Sequence, residues 1–110
     1  MTTLWNYRRE ILTHLFENEF KEDKERLGYI GEELKFLVKA IMKSPKSYTL
    51  WFQRQWAIEK GLAFERAVMG KNTQSEIMQN ELMLCNKMLK MDERNFHCWN
   101  YRFWVVETYL

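Results

Sequence analysis

Two basic side chains of this sequence, Lys46 and His97, stand where an anion could bind. Each lies beside the predicted start of a tryptophan-bearing helix, where free backbone N–H groups and the helix dipole favour negative charge. The chemistry that they could provide is therefore electrostatic neutralisation of a bound anion. A solvated surface role is the alternative for each, because a lone basic side chain is most often exposed to water.

The remaining reactive side chains do not form a pattern for covalent or metal chemistry. His14 has no carboxylate or cysteine at ligand spacing, which indicates a surface imidazole. Cys85 and Cys98 form neither a CxxC pair nor a zinc motif, and both are predicted to be buried thiols. The adjacent carboxylates at Glu32–Glu33 and Asp92–Glu93 point apart on a helix and do not make an acid/base pair. We expect this chain to bind no metal and to hold no catalytic residue by itself.

The composition predicts one soluble domain that spans residues 1–110. Hydrophobic residues make up 46% of the chain, which is enough to bury a core. The 17 basic and 15 acidic residues are interspersed, so neither nucleic acid nor a membrane surface is an expected partner. No apolar run approaches the roughly 18 residues of a membrane span, and the N-terminal segment lacks the pattern of a secretory leader. Together with cysteines that suit a reducing compartment, these features predict a cytoplasmic protein.

An internal repeat with a spacing of 48 residues organises the sequence. The segment Glu33-Leu34-Lys35-Phe36 aligns at this offset with Glu81-Leu82-Met83-Leu84. A third, truncated copy opens the chain, where Thr3–Arg8 aligns with Thr49–Arg54 at an offset of 46. The 48-residue offset also relates Lys39 to Lys87, Tyr48 to Phe96, Trp51 to Trp99, Arg54 to Arg102 and Trp56 to Trp104.

Each unit is predicted to be a helical hairpin. Apolar residues at helical spacing between Leu34 and Ile41 indicate an amphipathic first helix. This helix is expected to end near Ser44-Pro45, because proline disfavours the α conformation of the residue before it. Ser47 then stands at the N-cap position of a second helix, which Gly61 or Gly70 is expected to end.

The other boundaries follow from the same signals. Asn95 is the N-cap equivalent of Ser47, and Ser75 is expected to cap a helix after a polar connector at residues 71–75. Gly28 and Gly31 are expected to weaken any helix that runs through them. The predicted units span residues 1–20, which is truncated, 29–70 and 75–110, in a chain taken from a longer array.

Every unit carries a tryptophan and an arginine three residues apart, which share one face of the second helix. We predict that the tryptophan fills the space between its own hairpin and the next. The arginine is expected to satisfy helix-end carbonyls or a carboxylate of the neighbouring hairpin. Because a single hairpin cannot bury its apolar stripe, the predicted fold is all-α, a right-handed α-α superhelix or crescent of stacked helical hairpins. The signature residues are Trp5 and Arg8, Trp51 and Arg54, and Trp99 and Arg102.

This repeat resembles the repeat of protein prenyltransferase alpha subunits. The resemblance is carried by Thr3–Leu12, by Pro45–Trp51 and above all by Asp92–Arg102, whose sequence is DERNFHCWNYR. Within the family, these segments are most similar to the alpha subunits of Rab geranylgeranyltransferases, the type II enzymes. They fit the alpha subunit shared by farnesyltransferase and the type I enzyme less well. The resemblance covers essentially the whole chain but only the early repeats of such a subunit.

The resemblance implies a subunit that wraps around a beta subunit, an α/α barrel that holds the catalytic zinc and most of the isoprenoid pocket. The implied reaction transfers geranylgeranyl from geranylgeranyl diphosphate to C-terminal cysteines of Rab proteins, which an escort protein presents. The resemblance also implies that Lys46 and His97 approach the diphosphate and that Tyr48 lies near the mouth of the active site. As a fragment of such a subunit, this chain is expected to be inactive alone.

Three positions depart from the family pattern. The segment Trp51-Phe52-Gln53-Arg54 stands where relatives carry Trp-His-His-Arg, and Phe103 stands where they carry a second arginine. The resemblance therefore assigns no role to these three side chains. The alternative class is a protein-binding scaffold of tetratricopeptide type without enzymatic activity, whose repeats run about 34 residues. The spacing of 48 residues and the tryptophan–arginine signature favour the prenyltransferase interpretation.

Overall fold

The computed structural model describes residues 3–70 and 74–109, and the part it describes is helical, as the sequence predicts. Residues 71–73 of the predicted connector at residues 71–75 lie outside the described residues. None of the described helices is both long and apolar enough to span a membrane. The helices are α1 (Leu4–His14), continued by a π-helical turn at Leu15–Glu19, α2 (Asp23–Lys43), α3 (Tyr48–Met69), α4 (Glu76–Met91) and α5 (Phe96–Tyr109).

Side-chain caps fix the starts of α3, α4 and α5. In each case the residue before the helix accepts a hydrogen bond from the backbone N–H three residues later, which has no partner within the helix. The predicted N-caps Ser47, Ser75 and Asn95 are therefore confirmed. The bonds run from Leu50 N–H to Ser47 Oγ (3.4 Å), from Met78 N–H to Ser75 Oγ (3.2 Å) and from Cys98 N–H to Asn95 Oδ1 (3.3 Å).

The five helices form two layers. Helices α2 and α3 pack as one hairpin, and α4 and α5 pack as the next. Helices α1, α3 and α5 lie side by side, since Arg9 of α1 hydrogen-bonds to Gln53 of α3 and the Trp51 ring of α3 contacts Tyr101 of α5. Helices α2 and α4 cover this layer. The overall dimensions of 42 × 38 × 20 Å agree with this arrangement, because two packed helices are about 20 Å thick.

Two of the three signature tryptophans, Trp5 and Trp51, lie between helices of successive hairpins. Trp51 is 5% exposed and packs against Tyr101, with 5.1 Å between the ring centroids. Trp5 is partly buried, with its ring centroid 6.2 Å from that of Phe36 on α2. Trp99 differs, since 48% of it is exposed. No helix in the described part of the chain covers that side of α5.

Helix α2 runs through Gly28 and Gly31, although glycine weakens a helix. Ile30 lies between the two glycines and is completely buried, so the packing of α2 against α3 outweighs their low helix propensity. Arg26 fixes the preceding turn by donating to the backbone carbonyls of Phe16 at 2.7 Å and Phe20 at 2.6 Å. The expected weakening therefore does not interrupt the helix.

Gly61 lies in the interior of α3, and the helix ends instead at Gly70, whose φ of 88° suits glycine. Of the two glycines that the sequence offered as the end of this helix, Gly70 is the correct one. A Cβ atom on Gly61 would lie 3.0 Å from Ile30 Cγ2 and 3.1 Å from Ile77 Cδ1. A side chain at position 61 would therefore crowd both neighbouring helices, and Ile30 and Ile77 would have to shift to make room for it.

Replacing Gly61 and replacing Gly28 are expected to have opposite effects on stability. Gly61→Leu should lower the free energy of unfolding by about 1–3 kcal/mol, because the new side chain overpacks the contact with Ile30 and Ile77. Gly28→Ala should raise it by about 0.5–1 kcal/mol, because the methyl group enters open space and favours the helix. Urea denaturation followed by circular dichroism measures both changes. A Gly61→Leu protein as stable as the parent would contradict the packing argument.

Candidate functional site

The turn between α2 and α3 carries Lys46. Its backbone is closed by a hydrogen bond from Ser47 N–H to the Ser44 carbonyl at 3.2 Å. Lys46 is exposed and directly precedes the N-cap of α3. Within the described residues, no hydrogen bond or ion pair engages its ammonium group. The group is thus available to an anion at the positive end of the α3 dipole.

His97 lies in the first turn of α5, beside the start of α3. The Tyr48 ring meets the His97 ring edge-on, with centroids 4.2 Å apart at 89°, and the Phe96 ring stacks on it at 4.2 Å. Tyr48 is 70% exposed, whereas His97 is 8% exposed. Tyr48 and His97 line an open cleft of about 210 Å³ together with Phe52 and Asn100. The structure therefore brings together two of the predicted site residues, which come from different repeats.

An indole hydrogen bond fixes the turn that carries Lys46. The Trp51 Nε1–H group donates to the Pro45 carbonyl at 2.7 Å. In the next repeat, the equivalent bond runs from Trp99 to the Glu93 carbonyl at 2.8 Å. The signature tryptophan thus has a second role besides filling space, because it ties the start of its helix to the preceding turn.

A buried ion pair lies under the cleft that Tyr48 and His97 line. Tyr101 also lines this cleft and contacts the ion pair. Arg54 of α3 donates to both carboxylate oxygens of Glu81 of α4, at 2.9 and 2.5 Å, and its third nitrogen donates to the Leu34 carbonyl at 3.0 Å. The Tyr101 hydroxyl donates to the same carboxylate at 2.5 Å. The two charged side chains are only 4% and 3% exposed. Bidentate geometry and the additional hydrogen bonds satisfy charges that burial would otherwise penalise.

The same pairing occurs one repeat earlier. Arg8 donates to both carboxylate oxygens of Glu33, at 2.7 and 2.5 Å, and Glu33 is the repeat equivalent of Glu81. These are the carboxylates of a neighbouring hairpin that the arginine signature predicts. Arg102 differs, since it donates to Asn86 Oδ1 of its own hairpin at 3.1 Å. Sequence reasoning did not identify the two glutamates, although their recurrence at the repeat spacing was the available signal.

Burial and the neighbouring Glu81 carboxylate raise the pKa of Tyr101 well above its ordinary value of 10.0. The folded chain therefore holds the phenolic proton more tightly than the unfolded chain, so stability is lost as the pH rises above about 10. Between about pH 10 and 11, the free energy of unfolding of the parent should fall by about 1 kcal/mol more than that of Tyr101→Phe. Urea denaturation at several pH values gives both slopes. If the free energy of unfolding falls equally with pH in the parent and in Tyr101→Phe, Tyr101 is not the titrating group.

The other candidate groups are structural. Cys85 and Cys98 are completely buried, and the Cys98 thiol donates to the Cys85 carbonyl at 3.8 Å. Hydrogen bonding to Cys98 together with burial raises the pKa of Cys85, so this thiol stays protonated. His14 is exposed beside Asn18. The predicted core thiols and surface imidazole are confirmed. Across residues 3–70 and 74–109, no cluster of three or more His, Cys, Asp or Glu side chains could hold a metal ion.

Two of the three positions that depart from the family pattern share a partner on α1. Gln53 is completely buried, and its Oε1 accepts a hydrogen bond from Arg9 at 2.5 Å. The same guanidinium lies over the Phe52 ring, 5.1 Å from its centroid. Phe103 is 67% exposed on α5. Phe52 and Gln53 therefore contribute to the contact between α1 and α3.

Both repeats match the sequence profile of a known family. The profile is described as the protein prenyltransferase alpha subunit repeat, and it matches residues 30–61 and 78–109. The two matches start 48 residues apart, so the profile recognises the same unit twice. Together they cover more than half of the chain. This match does not favour the tetratricopeptide-type scaffold that the sequence left as the alternative.

Individual relatives resemble this chain over nearly its whole length. The alpha subunit of the type-2 geranylgeranyl transferase of Rattus norvegicus is 40% identical over 94% of this chain. The proteins of the same name from Dictyostelium discoideum and Candida albicans are 39% and 36% identical, each over 96% of it. The chain spans only 16%, 29% and 26% of the length of these three curated relatives.

Proposed function

Because this chain belongs to the family of the protein prenyltransferase alpha subunit repeat, we propose that it forms part of the alpha subunit of a type-2 geranylgeranyl transferase. The observation that carries the proposal is an identity of 36–40% with three such subunits across nearly the whole chain. The proposed reaction moves geranylgeranyl from geranylgeranyl diphosphate to C-terminal cysteines of Rab proteins. The active species is a cytoplasmic heterodimer with a beta subunit, to which an escort protein presents the Rab substrate.

The catalytic zinc of this proposal belongs to the beta subunit. The cysteines of this chain are buried and hydrogen-bonded, and its described residues contain no cluster of metal ligands. Residues 3–70 and 74–109 therefore do not fit a zinc site, and no step that we assign to this chain passes through the metal.

We assign to this chain a role in holding the isoprenoid diphosphate. The exposed ammonium of Lys46 and the first turn of α3 offer a positive charge and unpaired backbone donors at one place. His97 lies at the start of the adjacent helix, and Tyr48 borders it on the cleft side. As the C–O bond to the diphosphate breaks, the leaving group gains negative charge. A fixed ammonium at this position stabilises that charge more strongly than the charge of the bound substrate.

A reconstitution experiment tests the proposed function. The polypeptide that carries this chain is co-expressed with a type-2 beta subunit, purified, and assayed for transfer of labelled geranylgeranyl to a Rab protein in the presence of escort protein. We expect a stable heterodimer that transfers the label and no transfer by this chain alone. Failure of the beta subunit to co-purify, or a heterodimer that transfers nothing, would contradict the proposal.

A further inference from the structure

Asn95 makes two hydrogen bonds that run to different parts of the molecule. Its Oδ1 accepts the backbone N–H of Cys98 at 3.3 Å and so caps α5. Its Nδ2 donates to the carbonyl of Pro45 at 3.0 Å. The Asn95 residue is only 3% exposed, so water does not compete for either bond. The second bond joins the turn before α5 to the turn before α3, across two repeats.

The Pro45 carbonyl is consequently held from two sides. Trp51 donates to it from within the same repeat at 2.7 Å, and Asn95 donates to it from the next. Lys46 directly follows Pro45, and His97 follows Asn95 by two positions. The Asn95 amide therefore links the backbone that carries Lys46 to the backbone that carries His97.

The preceding repeat shows that a helix cap here does not require an asparagine. Ser47 occupies the equivalent position, and its hydroxyl caps α3 through the N–H of Leu50 at 3.4 Å. Serine and asparagine are comparable N-caps, so capping alone does not account for the amide at position 95. The feature that Asn95 adds is the N–H donor that reaches Pro45.

We propose that Asn95 is a positioning residue that sets the separation of Lys46 and His97 for a bound diphosphate. This inference rests on the proposed function, because it concerns the anion that these two residues are assigned to hold. Asn95 acts through the Pro45 carbonyl and does not itself contact the anion. Releasing the turn would let the backbone that carries Lys46 shift relative to α5, and misplacement by an ångström is enough to weaken electrostatic stabilisation.

Two substitutions separate positioning from capping. Asn95→Ser keeps a hydroxyl cap, as in the other repeat, and removes the amide donor. Asn95→Asp keeps the cap and the size of the side chain, and it also removes the donor. Ser75→Ala is the matched control, because it removes a cap from α4, whose start does not adjoin the Lys46 turn.

The first measurement is amide hydrogen exchange in the heterodimer. Both Asn95 variants should speed exchange of the Ser47 amide, which donates to the Ser44 carbonyl within this turn, by roughly threefold to tenfold, which corresponds to the loss of about one hydrogen bond. The first turn of α5 should exchange at the parental rate, and the Ser75→Ala control should leave the Lys46 turn unchanged. If Asn95 acts only as a cap, both variants keep that cap, and exchange in the turn that carries Lys46 should stay at the parental rate. That pattern would overturn the inference whatever the activity of the complex.

The second measurement compares two ligands of the heterodimer. Asn95→Ser should weaken binding of geranylgeranyl diphosphate by roughly threefold to tenfold, because the anion contacts are less well fixed. Binding of geranylgeraniol, which lacks the diphosphate, should not change. A variant that binds both ligands as the parent does would overturn the positioning role while the proposed function stands. A parental heterodimer that binds no geranylgeranyl diphosphate would contradict the proposed function itself, and with it the positioning role.

Discussion

Glu81→Gln is expected to lower the free energy of unfolding by about 3–5 kcal/mol, which is a large part of the stability of a domain of this size. The substitution keeps the size of the side chain but removes its charge, and the guanidinium of Arg54 then stays buried without a counter-ion. Burial alone acts against the charged form of Arg54, and it is the hydrogen bonds and charge of Glu81 that hold its pKa above the ordinary value. Urea denaturation measures the loss.

Two controls identify the cause of that loss. The double variant Arg54→Met with Glu81→Met should be more stable than Glu81→Gln, because it leaves no unpaired buried charge. Glu32→Gln, which breaks the exposed pair with Lys35, should cost less than about 1 kcal/mol. Equal losses from the buried and the exposed pair would contradict the assignment of the effect to burial.

Lys46→Ala in the heterodimer is expected to lower the single-turnover rate of prenyl transfer, on the order of tenfold to a hundredfold. The reason follows from the proposed function: the ammonium at the start of α3 stabilises the charge that the departing diphosphate gains. Thermal stability should barely change, because Lys46 is exposed and contributes little packing. Rapid-quench measurements with enzyme in excess isolate the chemical step from product release.

Lys46→Arg should recover part of the rate, since it keeps the charge with a different donor geometry. Lys39→Ala removes another exposed lysine, on α2, and should leave the rate unchanged. If the beta subunit assembles normally and Lys46→Ala retains the parental rate, Lys46 does not act on the diphosphate. The role of this segment would then be purely architectural.

Much of the fold follows from local signals in the sequence. The caps Ser47, Ser75 and Asn95 were identifiable because a hydroxyl or amide oxygen at a helix start has a local partner three residues away. The glycines were harder to interpret because their effect depends on their neighbours. Gly61 resembles a helix end in sequence, and only the proximity of Ile30 and Ile77 shows that it serves close packing.

The candidate site also has one part that the sequence predicts and another that only the structure shows. Lys46 and His97 could be singled out because their positions at helix starts are local properties of the chain. The contact of His97 with Tyr48 and the bond of Asn95 to Pro45 depend on how one hairpin stacks on the next. No spacing rule within one unit reports such contacts, so the sequence identifies the charged residues but not the contacts that orient them.

The ion pairs between successive hairpins also constrain how such an array can change in length during evolution. Each pair takes its arginine from one hairpin and its glutamate from the following one, as in Arg8 with Glu33 and Arg54 with Glu81. An in-frame duplication of a whole unit therefore restores a matched pair at every new junction. An insertion or deletion of part of a unit instead separates a buried charge from its counter-charge, and such a lesion costs several kcal/mol. Selection on stability alone should thus favour the gain and loss of complete hairpins over gradual drift in repeat length.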